Sequence, residues 1–163
     1  MLNYLKQATI FFIILFVSSC SSKELIPLRS VNNSLRQSSL SHNSSTLSNN
    51  LLGTIAKRED RQIIELINIR NRKRLSLVEL NRSYSKPISI SISNDGEILV
   101  AVVKRNEETL LLLYRRKTGL VKRLIISPTG TPQKVSLNSK GNILAVQVNR
   151  SGRWDIDLIE IPR

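Results

Sequence analysis

Residues 87–105 (PISISISNDGEILVAVVKR) can be laid without a gap on residues 132–150 (PQKVSLNSKGNILAVQVNR), 45 positions later. Proline, serine, glycine, an Ile-Leu pair, a valine and a closing arginine coincide. The match continues with Leu111 to Tyr114 over Ile156 to Ile159. A weaker third copy lies upstream. Leu51-Leu52-Gly53-Thr54-Ile55-Ala56-Lys57-Arg58 resembles residues 98–105, and residues 63–69 resemble the strand that follows. Self-similarity at such a period means that one small unit is stacked on its neighbours, because no single unit can bury its apolar face alone.

The units are made of strands. Apolar runs recur at 51–57, 63–69, 74–80, 88–93, 98–104, 110–115, 121–127, 134–137, 143–149 and 155–161, with polar turn clusters between them. Ile88-Ser89-Ile90-Ser91-Ile92-Ser93 alternates perfectly, the period of a half-buried strand. Leu110 to Leu113 is continuous and suits a strand covered on both faces. Asp95-Gly96 between two apolar runs signals a hairpin, because glycine tolerates the positive φ of a tight turn. Gly119, Gly130, Gly141 and Gly152 mark further turns. About four strands per 45 residues is the signature of a β-propeller blade.

The motif details resemble one family. Ser93-Asn94-Asp95-Gly96-Glu97-Ile98-Leu99-Val100 is similar to the S-P-D-G core of TolB-type propeller repeats, with Asn in the place of Pro. Asn138-Ser139-Lys140-Gly141-Asn142-Ile143-Leu144-Ala145 is a second copy that has lost the Asp. Trp154-Asp155-Ile156-Asp157-Leu158 resembles a later strand of the same repeat. The resemblance covers residues 51–163, or two to three repeats. It implies an all-β fold of antiparallel meander sheets, an incomplete TolB-like β-propeller. TolB-type proteins have six blades and an extra N-terminal α/β domain, and they are soluble periplasmic partners of a peptidoglycan-associated lipoprotein. This chain has neither that blade count nor that domain, so two or three blades are expected to form a compact open array or a ring of several copies.

The chain begins with an address. Residues 1–7 carry a single charged side chain, Lys6, and residues 8–17 (ATIFFIILFV) are apolar throughout. A membrane-spanning helix needs about 20 such residues, so this run has the length of a secretory h-region. Val17-Ser18-Ser19-Cys20 resembles the bacterial lipobox. The resemblance implies cleavage before Cys20 and acylation, including palmitate, on that residue. Acyl chains on one residue are a firm anchor, since each buried CH₂ contributes about 0.8 kcal/mol. Residues 1–19 therefore read as a lipoprotein signal peptide. Residues 20–50 read as a lipidated linker, half Ser or Asn over 21–50 and too polar to offset the entropy of ordering. Residues 51–163 read as the TolB-like β-repeat domain. The sole histidine, His42, falls in the linker and reads as solvated.

Charge and chemistry narrow the function. Lys and Arg number 25 against 12 Asp and Glu, a formal charge of +13. The positives gather at strand ends. Lys57, Arg58, Lys104, Arg105, Arg115, Arg116 and Arg150 are expected to form a basic rim facing an anionic partner, such as an envelope protein or polymer. Solvated edge charges that block aggregation explain the same residues without a ligand. The single Cys excludes a disulfide framework. No GxSxG, P-loop, HExxH or dinucleotide fingerprint occurs, so no catalytic residue, cofactor or metal is expected. Asp155 and Asp157 share a strand face and read as partners of nearby Arg. The Trp154 ring reads as packed between blades. The few aromatics argue against nucleic acid. The expected protein is an exported, membrane-anchored binding module on the periplasmic face of the inner or outer membrane, capable of forming homo-oligomers. The alternatives are an enzyme or enzyme subunit with a site on the β-rim, or a structural lipoprotein adhering to anionic membrane. The mature chain is expected to begin at acylated Cys20. Intact mass spectrometry after palmitate labelling should find the label on the wild type and none on Cys20→Ala.

Overall fold

The structure, a computed structural model, describes residues 26–162 apart from Ser39 and Ser76. The leader, the lipobox and Cys20 lie outside the described residues. The described part is built of three antiparallel meander sheets. The first holds β1 (Ser41–Leu47), β2 (Leu51–Arg58), β3 (Arg61–Asn68) and the short β4 (Arg74–Leu75). The second holds β5 (Ser85–Ile92), β6 (Ile98–Arg105), β7 (Glu108–Arg115) and β8 (Leu120–Leu124). The third holds β9 (Thr131–Leu137), β10 (Ile143–Arg150) and β11 (Arg153–Glu160). Each sheet is one blade, the blades follow the chain in order, and they do not close into a barrel. The all-β reading and the repeat therefore hold.

Strand period explains why the middle blade is apolar on every side. Successive residues of a strand point to opposite faces. Leu99, Ala101, Val103, Leu110, Leu112 and Tyr114 pack with Ile55, Ile64 and Leu66 of the first blade. Ile98, Val100, Val102, Leu111 and Leu113 pack with Leu144, Val146 and Val148 of the third. The continuous Leu110-Leu111-Leu112-Leu113 run thus serves two cores at once. Burying one such side chain contributes about 1.5–3 kcal/mol.

The blades are joined by a device repeated at 45-residue steps. Ser48, Ser93 and Asn138 each close the hairpin after the first strand of their blade. Their backbone N–H groups donate to Leu51 O, Ile98 O and Ile143 O at 2.9, 2.9 and 3.0 Å. Their side-chain oxygens accept the N–H of the same three residues at 3.0, 3.0 and 3.1 Å. The next residue links blades: Asn49 N–H donates to Asn94 O (3.2 Å), and Asn94 N–H donates to Ser139 O (2.9 Å). The first strands are tied side by side as well. Thr46 Oγ1 accepts from Ile92 N–H at 3.3 Å, and Ser91 Oγ accepts from Leu137 N–H at 2.8 Å.

Glycine at 141 is required twice over. Its φ is +72°, and a Cβ there would sit 2.8 Å from Ser93 Cβ in the preceding hairpin. Asp95 strengthens the middle hairpin by accepting from Ser93 Oγ (2.6 Å) and Glu97 N–H (3.0 Å). Those bonds, with the Ser93 hydroxyl first, hold its carboxyl below the ordinary carboxylate range. Where the third blade has Lys140 instead, Asn138 Oδ1 takes both Asn142 and Ile143 N–H groups at 3.1 Å.

Three expectations are corrected. The linker reading fails over 29–47: helix α1 (Arg29–Gln37) and strand β1 lie there. Polar composition misleads because a first strand needs only its backbone ladder to β2 and one side-chain tie, not an apolar face. His42 is accordingly a half-buried strand residue. The expected strand over 74–80 stops at Leu75. Leu77 and Leu80, both buried, instead turn the chain back, and the Asn81 side chain takes the place of a strand. Its Oδ1 accepts Ile64 N–H at 2.7 Å and its Nδ2 donates to Ile64 O at 2.8 Å. Trp154 is 55% exposed, because β11 presents it on the outer face of the last described sheet.

Two stability experiments follow from the hairpins. Gly119, with φ +67° and open space around it, should lose about 1–2 kcal/mol on substitution by Ala. Gly141→Ala should lose a further 1–3 kcal/mol or so from the Ser93 contact, both read by urea unfolding. For Asp95, whose folded pKa is depressed, the stabilising contribution is present above the unfolded pKa of about 3.9. It is lost as pH falls through the lower folded value. Asp95→Asn should therefore be less stable than wild type at neutral pH and show a flatter stability curve in acid.

Candidate functional site

In a meander blade the hairpin between the second and third strands always emerges on the same rim. That rim carries the ends of β2, β6 and β10, hence Lys57, Arg58, Lys104, Arg105 and Arg150. Arg115 ends β7 and Arg116 follows it, so both lie on the opposite rim. There the Arg115 guanidinium donates to Pro162 O, and Arg116 Nε donates to Gly96 O at 2.8 Å while its other arm pairs with Glu97. Of the seven basic residues expected on one rim, five are there and two are not. The two belong to a different hairpin of the meander, and both hold structure together.

The five are not equivalent. Arg150, with 16% side-chain exposure, donates to Asp155 Oδ2 (3.3 Å), Asp157 Oδ1 (3.1 Å) and Pro128 O (2.9 Å). The two aspartates on one strand face thus serve Arg150, as their spacing suggests. Arg105 donates from Nε to Ser85 Oγ at 2.9 Å and stands over the Tyr84 ring at 5.5 Å. The Tyr84 hydroxyl accepts from Arg82 at 3.2 Å. That hydrogen bond, with the fields of Arg82 and Arg105, lowers the Tyr84 pKa. Lys57, Arg58 and Lys104 are exposed and have no ion-pair partner among the described residues.

A groove of about 330 Å³ opens on this rim between the first and second blades, bordered by Asn43, Gln62, Lys86, Ile88 and Lys104. Lys86 and Lys104 are direct cross-strand neighbours in the β5–β6 ladder. Like charges in that relation are destabilising, and Lys86 also lacks an acidic partner among the described residues. Lys57 stands opposite Gln62 in the β2–β3 ladder and on the same strand face as buried Ile55, which faces the second blade. The hairpin acids Glu59, Asp60 and Glu107 sit at the turn tips, and Glu108 pairs with Arg123. The groove therefore combines unneutralised ammonium groups with two amide side chains, a donor set suited to phosphate or carboxylate oxygens.

Lys86, Asn43 and Gln62 escape a reading of the sequence. Counting back from the Asp95-Gly96 turn places Lys86 opposite Arg105. A register shift between Pro87 and Ser89 moves it opposite Lys104. The signal for it is the matched proline of the repeat: the third blade shifts register at the same place, with Val148 opposite Pro132 and Gln147 opposite Lys134, and proline inside a strand marks a bulge.

No family model matches the chain, and no curated protein matches it. Among solved structures, TolB from Acinetobacter baumannii is similar, with a TM-score of 0.57 and 16% sequence identity. The match covers 72% of this chain and 29% of that one, so the chain spans under a third of that protein's length. The likeness is one of fold: three consecutive blades of TolB type.

Proposed function

We propose that the protein is an exported, lipid-anchored β-repeat module that binds an anionic partner at the cell envelope through the rim between its first two blades. The observation that carries this reading is the Lys86–Lys104 cross-strand pair. It sits in a groove with Lys57 and two amides near it, and no acid among the described residues pairs with it. A fold that holds two ammonium groups side by side costs stability unless an anion bridges them. The lipobox-like Val17-Ser18-Ser19-Cys20 supports the envelope as the place, and the TolB-like repeats support a binding rather than a chemical role. Acidic protein surfaces and anionic polymers carry the matching oxygens.

The full chain with a photo-crosslinking residue at Arg58 tests this in intact envelopes. Wild type should capture one acidic protein or polymer, less at higher salt because exposed charges are screened. The Lys57→Gln, Lys86→Gln and Lys104→Gln triple variant should lose most of that capture with its thermal unfolding unchanged or slightly raised. Capture that survives the triple variant, or salt-dependent attachment to anionic vesicles alone, would overturn the reading.

A further inference from the structure

The repeat gives each blade one face for its successor. In the second blade that face is Ile98, Val100, Val102, Leu111 and Leu113, packed against the third. At the same places of the third blade, 45 positions on, stand Ile143, Ala145, Gln147, Ile156 and Leu158. The β10–β11 ladder sets Ala145 beside Leu158, Gln147 beside Ile156 and Asn149 beside Trp154. These residues point away from Leu144, Val146 and Val148, which serve the inner core. Ile143, Trp154, Ile156 and Leu158 are left between 45 and 74% exposed.

Single exposed aliphatics need no explanation, but a contiguous patch of several hundred Å² marks an interaction surface. Whole Ile and Leu residues present about 200 Å² in an extended chain and Trp about 280 Å², so these four expose roughly 500 Å². With Lys134, Ser136, Gln147 and Glu160 around them, the face reaches roughly the 800 Å² per partner of a standard protein interface.

Shape, charge and the opposite end of the stack identify the occupant. The equivalent face of the second blade is covered by another sheet, and sheets pack face to face about 10 Å apart with their strands nearly aligned. The chain carries a formal charge of +13. On this face, however, the charged side chains are one lysine, Lys134 beside Gln147, and one acid, Glu160 beside Ile143. Arg153 is turned to the other side of β11, where it pairs with Asp155. A neutral face does not repel its own copy, whereas anionic lipid would draw the basic surfaces of the molecule instead. Helix α1 lies over the first blade with Val31 and Leu35. The third blade of one copy therefore cannot continue onto the first blade of the next, and a self-complementary contact about a twofold axis is the arrangement left.

We propose that the outer face of the third blade docks on the same face of a second copy, forming a six-stranded β-sandwich that buries Trp154, Ile156 and Leu158. The interface is separate from the basic rim and stands whether or not the rim binds an anion.

Trp154 is the sole tryptophan of the chain, so its emission reports on this face directly. The full chain in a neutral, density-matched detergent is followed by sedimentation equilibrium and by tryptophan fluorescence over a range of protein concentrations. The mass should double, and Trp154 emission should shift to the blue over the same concentrations. Salt should leave the dimer intact or tighten it, since the remaining net charge is screened. Ile156→Lys and Leu158→Lys, at positions 65 and 74% exposed in the single chain, should each keep the fold. Each should weaken dimerisation about a hundredfold or more, because a twofold interface takes every substitution twice. A chain that stays single, a dimer that survives both variants, or doubling without a change at Trp154 would each overturn the proposal. So would a blue shift seen in single chains on adding neutral phosphatidylcholine vesicles, which would make lipid the occupant.

Discussion

The blade interfaces depend on a row of hydrogen bonds that run from one hairpin to the next. Asn49 donates to Asn94, and Asn94 donates to Ser139, through backbone groups that a free hairpin would give to water. These bonds, with the Thr46 and Ser91 ties between first strands, fix the offset of each sheet on its neighbour. Only at that offset do the alternate residues of β6 and β7 meet the first and third blades together. Buried polar groups must be paired, so the stitches also permit the hairpins to approach as closely as Gly141 does. Apolar burial supplies most of the driving force, and the stitches decide which of several sheet offsets receives it.

The stack is unequal at its two ends. On the first blade, α1 lies over the outer face and buries Val31. On the third blade the outer face carries Ile143, Trp154, Ile156 and Leu158 at 45, 55, 65 and 74% exposure. Inward of that apolar face, Asp155 and Asp157 meet Arg150, which in turn holds the Pro128 carbonyl. This charged clasp binds β10, β11 and the entry to β9 into one unit. It accounts for a three-stranded sheet keeping its shape although β11 has no neighbour beyond β10 among the described residues.

Period carried much of this architecture into the sequence. Nine of the expected strand positions coincide with observed strands because residues 51–161 alternate or run apolar between turns, and both patterns follow from which faces are covered. The first blade's opening strand was hidden for the opposite reason. Ser41-His42-Asn43-Ser44-Ser45-Thr46-Leu47 covers no core and is written in the residues of a linker. Its hairpin, Ser48-Asn49-Asn50-Leu51, is also two residues shorter than the other two, so the third repeat copy falls out of register after it. Asn81 is invisible to pattern in the same way, because one amide side chain there replaces a strand that periodicity would otherwise supply. The rim was legible in outline from the Lys-Arg pairs, but its groove was not, since a bulge set the neighbour of Lys104.

Duplication explains why a basic rim arises and why it is uneven. Copying a unit that ends its second strand in Lys-Arg places those residues side by side in space, because the same strand end of each blade reaches the same rim. Lys57-Arg58 and Lys104-Arg105 are such a pair of copies. The third copy reads Asn149-Arg150, and there the acids of β11 have turned the arginine inward to hold the sheet. The charge that remains unspent is therefore concentrated between the first two blades. That is also where Lys86 is brought in by the bulge and where Asn43 enters from a strand with no core to serve. A binding groove in this position needs no residue that the repeat did not already provide, except Lys86 and Asn43, which stand where the third and second copies carry Thr131 and Ile88.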